Sequence, residues 1–144
     1  TPAGVAAGAL RRERARRPDP LRLLLDTHAT LWWLDDSPRL TRRVRSLLLS
    51  GRHQVLASAV VDWEAAIKVG SGQWSAPVGI TARLVASGAE ALPVTAEHAE
   101  AIRDLPHHHG DPFDRMLVAQ AMVEDAVLIS ADAALDAYGV RRRW

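Results

Sequence analysis

The 144-residue chain is expected to fold as an α/β domain around a mainly parallel sheet. Leu21–Leu25 is a short apolar run without the two-residue alternation of a half-exposed strand, which marks a strand buried on both faces. Ala126–Ile129 repeats that signature near the other end of the chain. Between these runs lie capped stretches of helical length, and strands that alternate with helices make a parallel sheet covered by helices.

Each element has a local reason. The first strand ends at Asp26 and passes into a helical stretch around Ala29–Leu34. Ser37-Pro38 is expected to open the next helix, because serine caps and proline suits the first turn. That helix should run to about Ser50, with Gly51 as its stop. Gln54–Ala57 reads as a second strand and Val61–Val69 as a helix closed by Gly70-Ser71-Gly72. A helix near Ile80–Ala86 leads to a strand at Ala91–Val94, and Thr95 caps a helix over Ala96–Asp104. Asp111-Pro112 opens a well-marked helix through Glu124, with Asp114 in its first turn. The Ala126–Ile129 strand follows, then a short helix over Ala133–Ala137 and a last strand at Val140–Trp144.

Composition narrows the function classes. The chain has no cysteine, which excludes disulfides, cysteine zinc sites and thiol nucleophiles and fits a cytoplasmic location. No apolar run approaches the roughly 20 residues that span a bilayer, and TPAGVAAGAL is not expected to act as a secretory signal. The formal charge of +1 hides an asymmetry: residues 1–20 hold five arginines against Glu13 and Asp19, so the rest is slightly acidic. Residues 1–20, broken by Pro18 and Pro20, are expected to form an arm outside the fold, disordered or partly helical. Residues 21–144 are expected to form the single domain.

In an open parallel sheet, ligands bind outside the carboxyl ends of the strands. Asp26 and Asp132 lie just past two apolar strands, Glu64 is near the start of the helix after the second strand, and Asp114 is in the first turn of another. Four carboxylates at one edge repel one another, and a fold keeps them together chiefly when a cation occupies the site. With oxygen ligands only, Mg2+ or Mn2+ is the natural ion, and its chemistry is phosphodiester hydrolysis. Each acid also has a structural reading: Asp26 as a turn residue, Glu64 as a helix-dipole partner, and Asp111 and Asp132 as caps. Asp114 reads equally as a capping partner or a ligand.

Four segments resemble one family. LLLDTHATLWWL, DWEAAIK, DPFDRMLVAQA and LISAD are similar in order and spacing to the PIN-domain toxins of the VapC type, over residues 21–144. The resemblance implies a three-layer α/β/α sandwich and a Mg2+- or Mn2+-dependent endoribonuclease acting on RNA. It also implies a small antitoxin partner and a homodimer. The catalytic positions it implies are Asp26, Glu64, Asp114 and Asp132, with Asp26 and Asp114 as metal ligands. Ser130, Asp111 and Arg115 are supporting residues, Asp111 as accessory ligand or cap and Arg115 as phosphate contact or ion-pair partner. Gly110 stands where relatives often have arginine, and the Glu64 helix begins at Val61-Asp62 without the usual capping serine.

Other residues are assigned more modest roles. His107-His108-His109 reads as a solvated loop, because three adjacent histidines cannot face one ion and no partner ligand is evident. His28 is either near the site or structural. Trp32 and Trp33 cannot share a helix face, so one is expected in the core and the other at a partner surface. Arg39, Arg42, Arg43 and Arg45 are expected on a solvated face that can guide RNA, and the terminal RRRW is unassigned. A phosphoaspartate enzyme is disfavoured, since Asp26-Thr27-His28 lacks the second aspartate and the one lysine, Lys68, is no strand-end residue. A non-catalytic RNA- or partner-binding module remains the alternative.

Overall fold

A computed structural model of the protein describes residues 19–144. The expected arm over residues 1–20 falls almost wholly outside the described residues. Five parallel strands form one sheet: β1 (Arg22–Leu25), β2 (Gln54–Ser58), β3 (Glu90–Leu92), β4 (Val127–Ile129) and β5 (Arg142–Arg143), in the order β3-β2-β1-β4-β5. Leu24 of β1 pairs in register with Leu56 of β2 and Leu128 of β4.

Leu23, Leu24 and Leu25 are all fully buried, as a two-faced strand requires. Leu24, Leu56 and Leu128 point to one side, into a core shared with α3 (Ala59–Gly70) and α6 (Pro112–Val123). Leu23, Leu25, Val127 and Ile129 point to the other, against α1 (Thr27–Leu34) and α2 (Arg42–Leu49). The result is a three-layer α/β/α sandwich, and the sheet is wholly parallel among the described strands.

The first described strand lies in the middle of the sheet, which builds outward through β2 and β3, then lays β4 and β5 on the other side of β1. The winding direction reverses between β1 and β4. That switch point opens a crevice at the strand carboxyl ends, where Asp26 follows β1 and Ser130 follows β4.

Several boundaries differ from expectation, two helix starts above all. Ser37 does cap, accepting from the Arg39 backbone at 3.2 Å, but it closes only a turn. Thr41 caps α2 instead, accepting from Val44 N at 3.2 Å, so the helix starts at Arg42. α3 begins at Ala59 rather than Val61 and has its serine after all: Ser58 ends β2 and caps α3, accepting from Val60 N at 3.1 Å. Trp32 and Trp33 are both half-buried against the Leu23–Leu25 cluster, rather than divided between core and surface. The remaining elements are α4 (Ile80–Ala86), α5 (Ala96–Ala101) and 3-10 turns at Ile102–Asp104 and Ala133–Tyr138. No helix among the described residues is long and apolar enough to cross a membrane.

Candidate active site

Asp26 is 6% exposed and caps α1, its carboxyl accepting from Ala29 N at 2.9 Å. The Ser130 hydroxyl donates to the same carboxyl and accepts from Asp132 N at 3.1 Å. Ser130 thus ties together the acids that follow β1 and β4. Burial pushes the Asp26 carboxyl above its ordinary pKa, and the Glu64 charge adds to that, against the Ser130 and Ala29 hydrogen bonds and the His28 ring.

Glu64 is 3% exposed, in the second turn of α3. It accepts a hydrogen bond from Thr27 Oγ1 at 2.6 Å and pairs with Lys68 one turn further along the helix. That hydrogen bond, across 37 residues of sequence, ties α1 to α3 at the crevice. Lys68 neutralises Glu64 locally, which allows so buried a carboxylate.

Asp111 caps α6, with one oxygen accepting from Phe113 N at 2.8 Å and Asp114 N at 3.1 Å. Pro112 takes the first helical position, where its missing N–H costs nothing. Asp114 then lies in the first turn and faces the other acids. Its pKa is pushed up to about 6, first by burial and then by the charges of Asp111, Asp26 and Glu64, with His109 opposing. Asp132 caps the turn after β4, accepting from Ala134 N at 3.0 Å, and keeps 41% of its side chain exposed.

His109 departs from the solvated-loop reading. Its Nδ1 accepts from Asp111 N at 3.1 Å, so the proton of the neutral ring sits on Nε2. Nε2 lies 3.3 Å from Asp132 and 3.8 Å from Asp114. The ligand atoms of His109, Asp114 and Asp132 all lie within 4.8 Å of one another, a spacing that suits a metal ion. With Nδ1 committed, however, Nε2 is a donor rather than a lone-pair ligand, so the oxygens are the fitting donors. His107 is exposed and His108 packs on Tyr138 at 5.2 Å, so the tract does not act as a unit.

Arg115 turns away from the crevice. It is 7% exposed, and its guanidinium donates to Pro106 O at 2.6 Å, Leu105 O at 3.2 Å and the Tyr138 hydroxyl at 3.2 Å. Here it tethers the histidine loop to α6, in place of the phosphate contact or ion pair expected. Thr27 and His109 had no signal in spacing, whereas the Glu64–Lys68 pair at i,i+4 was readable.

A sequence model described as the PIN domain matches residues 23–140. The chain belongs to the PIN domain family. The match takes in β2, β3, β4, all of β1 but Arg22, and all four candidate acids of this PIN domain. Among curated proteins, none matches. Similar solved structures include VapBC2 from Rickettsia felis bound to a promoter DNA fragment, at 14% identity and TM-score 0.63, covering 85% of this chain and 98% of that one. DNA-bound VapBC from Salmonella typhimurium is similar at 19% identity and TM-score 0.60, covering 85% and 97%. VapBC-1 from nontypeable Haemophilus influenzae is similar at 17% identity and TM-score 0.58, with the same coverage. At these identities the likeness concerns the fold.

Proposed function

We propose that this PIN domain is a metal-dependent endoribonuclease, the toxin of a VapC-type toxin–antitoxin pair. The observation that carries the reading is the convergence of Asp26, Glu64, Asp114 and Asp132 at the switch point of the sheet. Burial pushes Asp26 and Asp114 above the ordinary carboxylate range, with the Glu64 charge adding at Asp26 and the charges of Asp111, Asp26 and Glu64 adding at Asp114. A group of acids in that state favours a cation, and its oxygen-rich donor set fits Mg2+ or Mn2+.

Asp26, Asp114 and Asp132 would hold the ion. When bound, it supplies the acidity that turns water into a nucleophile and the charge that offsets a phosphodiester. The chain does the rest. Ser130 holds the Asp26 carboxyl in place, and Thr27 and Lys68 fix Glu64 to act through water. Asp111 holds the start of α6, and with it Asp114. The His109 Nε2–H supplies a donor at the rim where a phosphate oxygen would lie.

The similar chains come from VapBC structures, which supports an antitoxin partner; the toxin reading carries with it a small antitoxin that covers the crevice and a homodimer in the cytoplasm. The reading is tested by inducing the full chain in a bacterial host and mapping cleavage sites on total RNA. Growth arrest with new RNA ends is expected, absent with Asp26→Asn. Identical RNA ends with both forms would contradict it.

A further inference from the structure

Of the five tryptophans, three gather in one row with His28 beside the acidic crevice. Trp74 meets His28 at 5.7 Å, His28 meets Trp32 at 5.6 Å, and Trp32 meets Trp144 at 5.6 Å. Successive rings are inclined at 64°, 43° and 54°, so none is sandwiched face to face between its neighbours. The three indoles are half-buried, with their anchored edges in the cores beneath α1, while His28 between them is exposed.

A row formed only for packing has no use for an exposed imidazole between its indoles or for cations set against its rings. Lys68 Nζ, the partner of Glu64, lies 4.3 Å from the Trp74 ring centroid. Arg39 lies 5.8 Å from that of Trp32. Arg143, next to Trp144 in the chain, is exposed, and neither it nor Arg39 has an ion pair among the described residues. The row also starts at the acids. His28 follows Asp26 by two residues and acts on its charge, and Lys68 links Trp74 to Glu64.

We propose that Trp74, His28, Trp32 and Trp144 form a stacking shelf for unpaired nucleobases of an RNA strand whose backbone runs past the acids, with Arg39 and Arg143 contacting its phosphates. Aromatic faces take any base, and arginine forks suit phosphate oxygens, which together describe a single-stranded nucleic-acid track. A duplex keeps its bases stacked on each other and has none to offer the shelf.

The proposal rests on the nuclease reading for its RNA, so the test separates the two. Binding of a short labelled single-stranded RNA to the full chain is measured by anisotropy in chelator, where no cleavage is needed. An abasic oligomer of the same length and the RNA duplex serve as further probes. Trp74→Ala and Trp144→Ala are expected to weaken binding about 5- to 100-fold, with Trp→Phe at each position close to wild type. The wild-type chain is expected to bind the abasic oligomer and the duplex correspondingly weakly. Equal affinity of the wild-type chain for abasic and base-bearing oligomers overturns the shelf, whatever the folding of the variants. So do alanine variants that change the oligomeric state but bind RNA normally, because the row is then an interface between copies. Ring-dependent binding by a chain that never cleaves RNA upholds the shelf and refutes the nuclease.

Discussion

Replacing Asp114 with asparagine should stabilise the ion-free protein, although the residue is placed in the catalytic centre. Its carboxyl has a folded pKa of about 6 against an ordinary 3.8, a rise equivalent to about 3 kcal/mol of unfavourable charge at neutral pH. With 24% of the side chain exposed, solvent screening reduces this. Loss of a negative charge in the first turn of α6 takes back about 0.3–1 kcal/mol. Asp114→Asn is therefore expected to gain about 1–2 kcal/mol at pH 7.5 in chelator, a Tm rise of about 4–8 °C. The sign with pH follows from the raised pKa: the native state binds the extra proton between about 6 and 3.8, so the wild type gains stability as the pH falls. The difference between the two proteins should shrink through that window and vanish below it. Thermal unfolding of both proteins across pH 4–8 reads this out directly. An Asp114→Asn protein no more stable than wild type at pH 7.5, or an advantage unchanged at pH 4, would refute the repulsion argument.

Added Mg2+ should raise the wild-type Tm and leave that of Asp114→Asn almost unchanged, because an ion that binds only the native state stabilises it by mass action. Lys68→Gln leaves the Glu64 carboxylate buried without its counter-charge and should cost about 2–4 kcal/mol in urea unfolding; a neutral result would mean that the Glu64–Lys68 pair does not hold this part of the fold. Thr27→Val keeps shape but removes the donor to Glu64, and a loss of about 1.5–3 kcal/mol is expected. Arg115→Lys cannot reach two carbonyls and the Tyr138 hydroxyl at once, and should lower stability by about 1–3 kcal/mol while Mg2+ still raises Tm.

The sheet was legible because its central strands are buried on both faces: Leu23–Leu25 and Val127–Ile129 leave no room for polar alternation. The acids were legible as positions, since a residue just past such a strand must lie at the carboxyl edge. Their partners were not. Ser58 ends a strand and caps a helix with no loop between, so the boundary carries no turn signal. His109 reaches Asp132 only because the loop before α6 bends back over the crevice, and the path of that loop is set by Arg115 of α6 together with Tyr138 from a distant segment. Trp32 and Trp33 both stay half-buried because α1 lies between two packed surfaces, the Leu23–Leu25 cluster and Trp74 beyond His28. Helical spacing alone cannot describe that.

The most direct measurement is cleavage of end-labelled RNA by the purified full chain, first in chelator and then with Mg2+ or Mn2+ restored, with Asp26→Asn in parallel. Discrete products are expected only from the wild type and only after the ion is restored. Equal cleavage in chelator, or by Asp26→Asn, would contradict a metal-dependent centre built on Asp26.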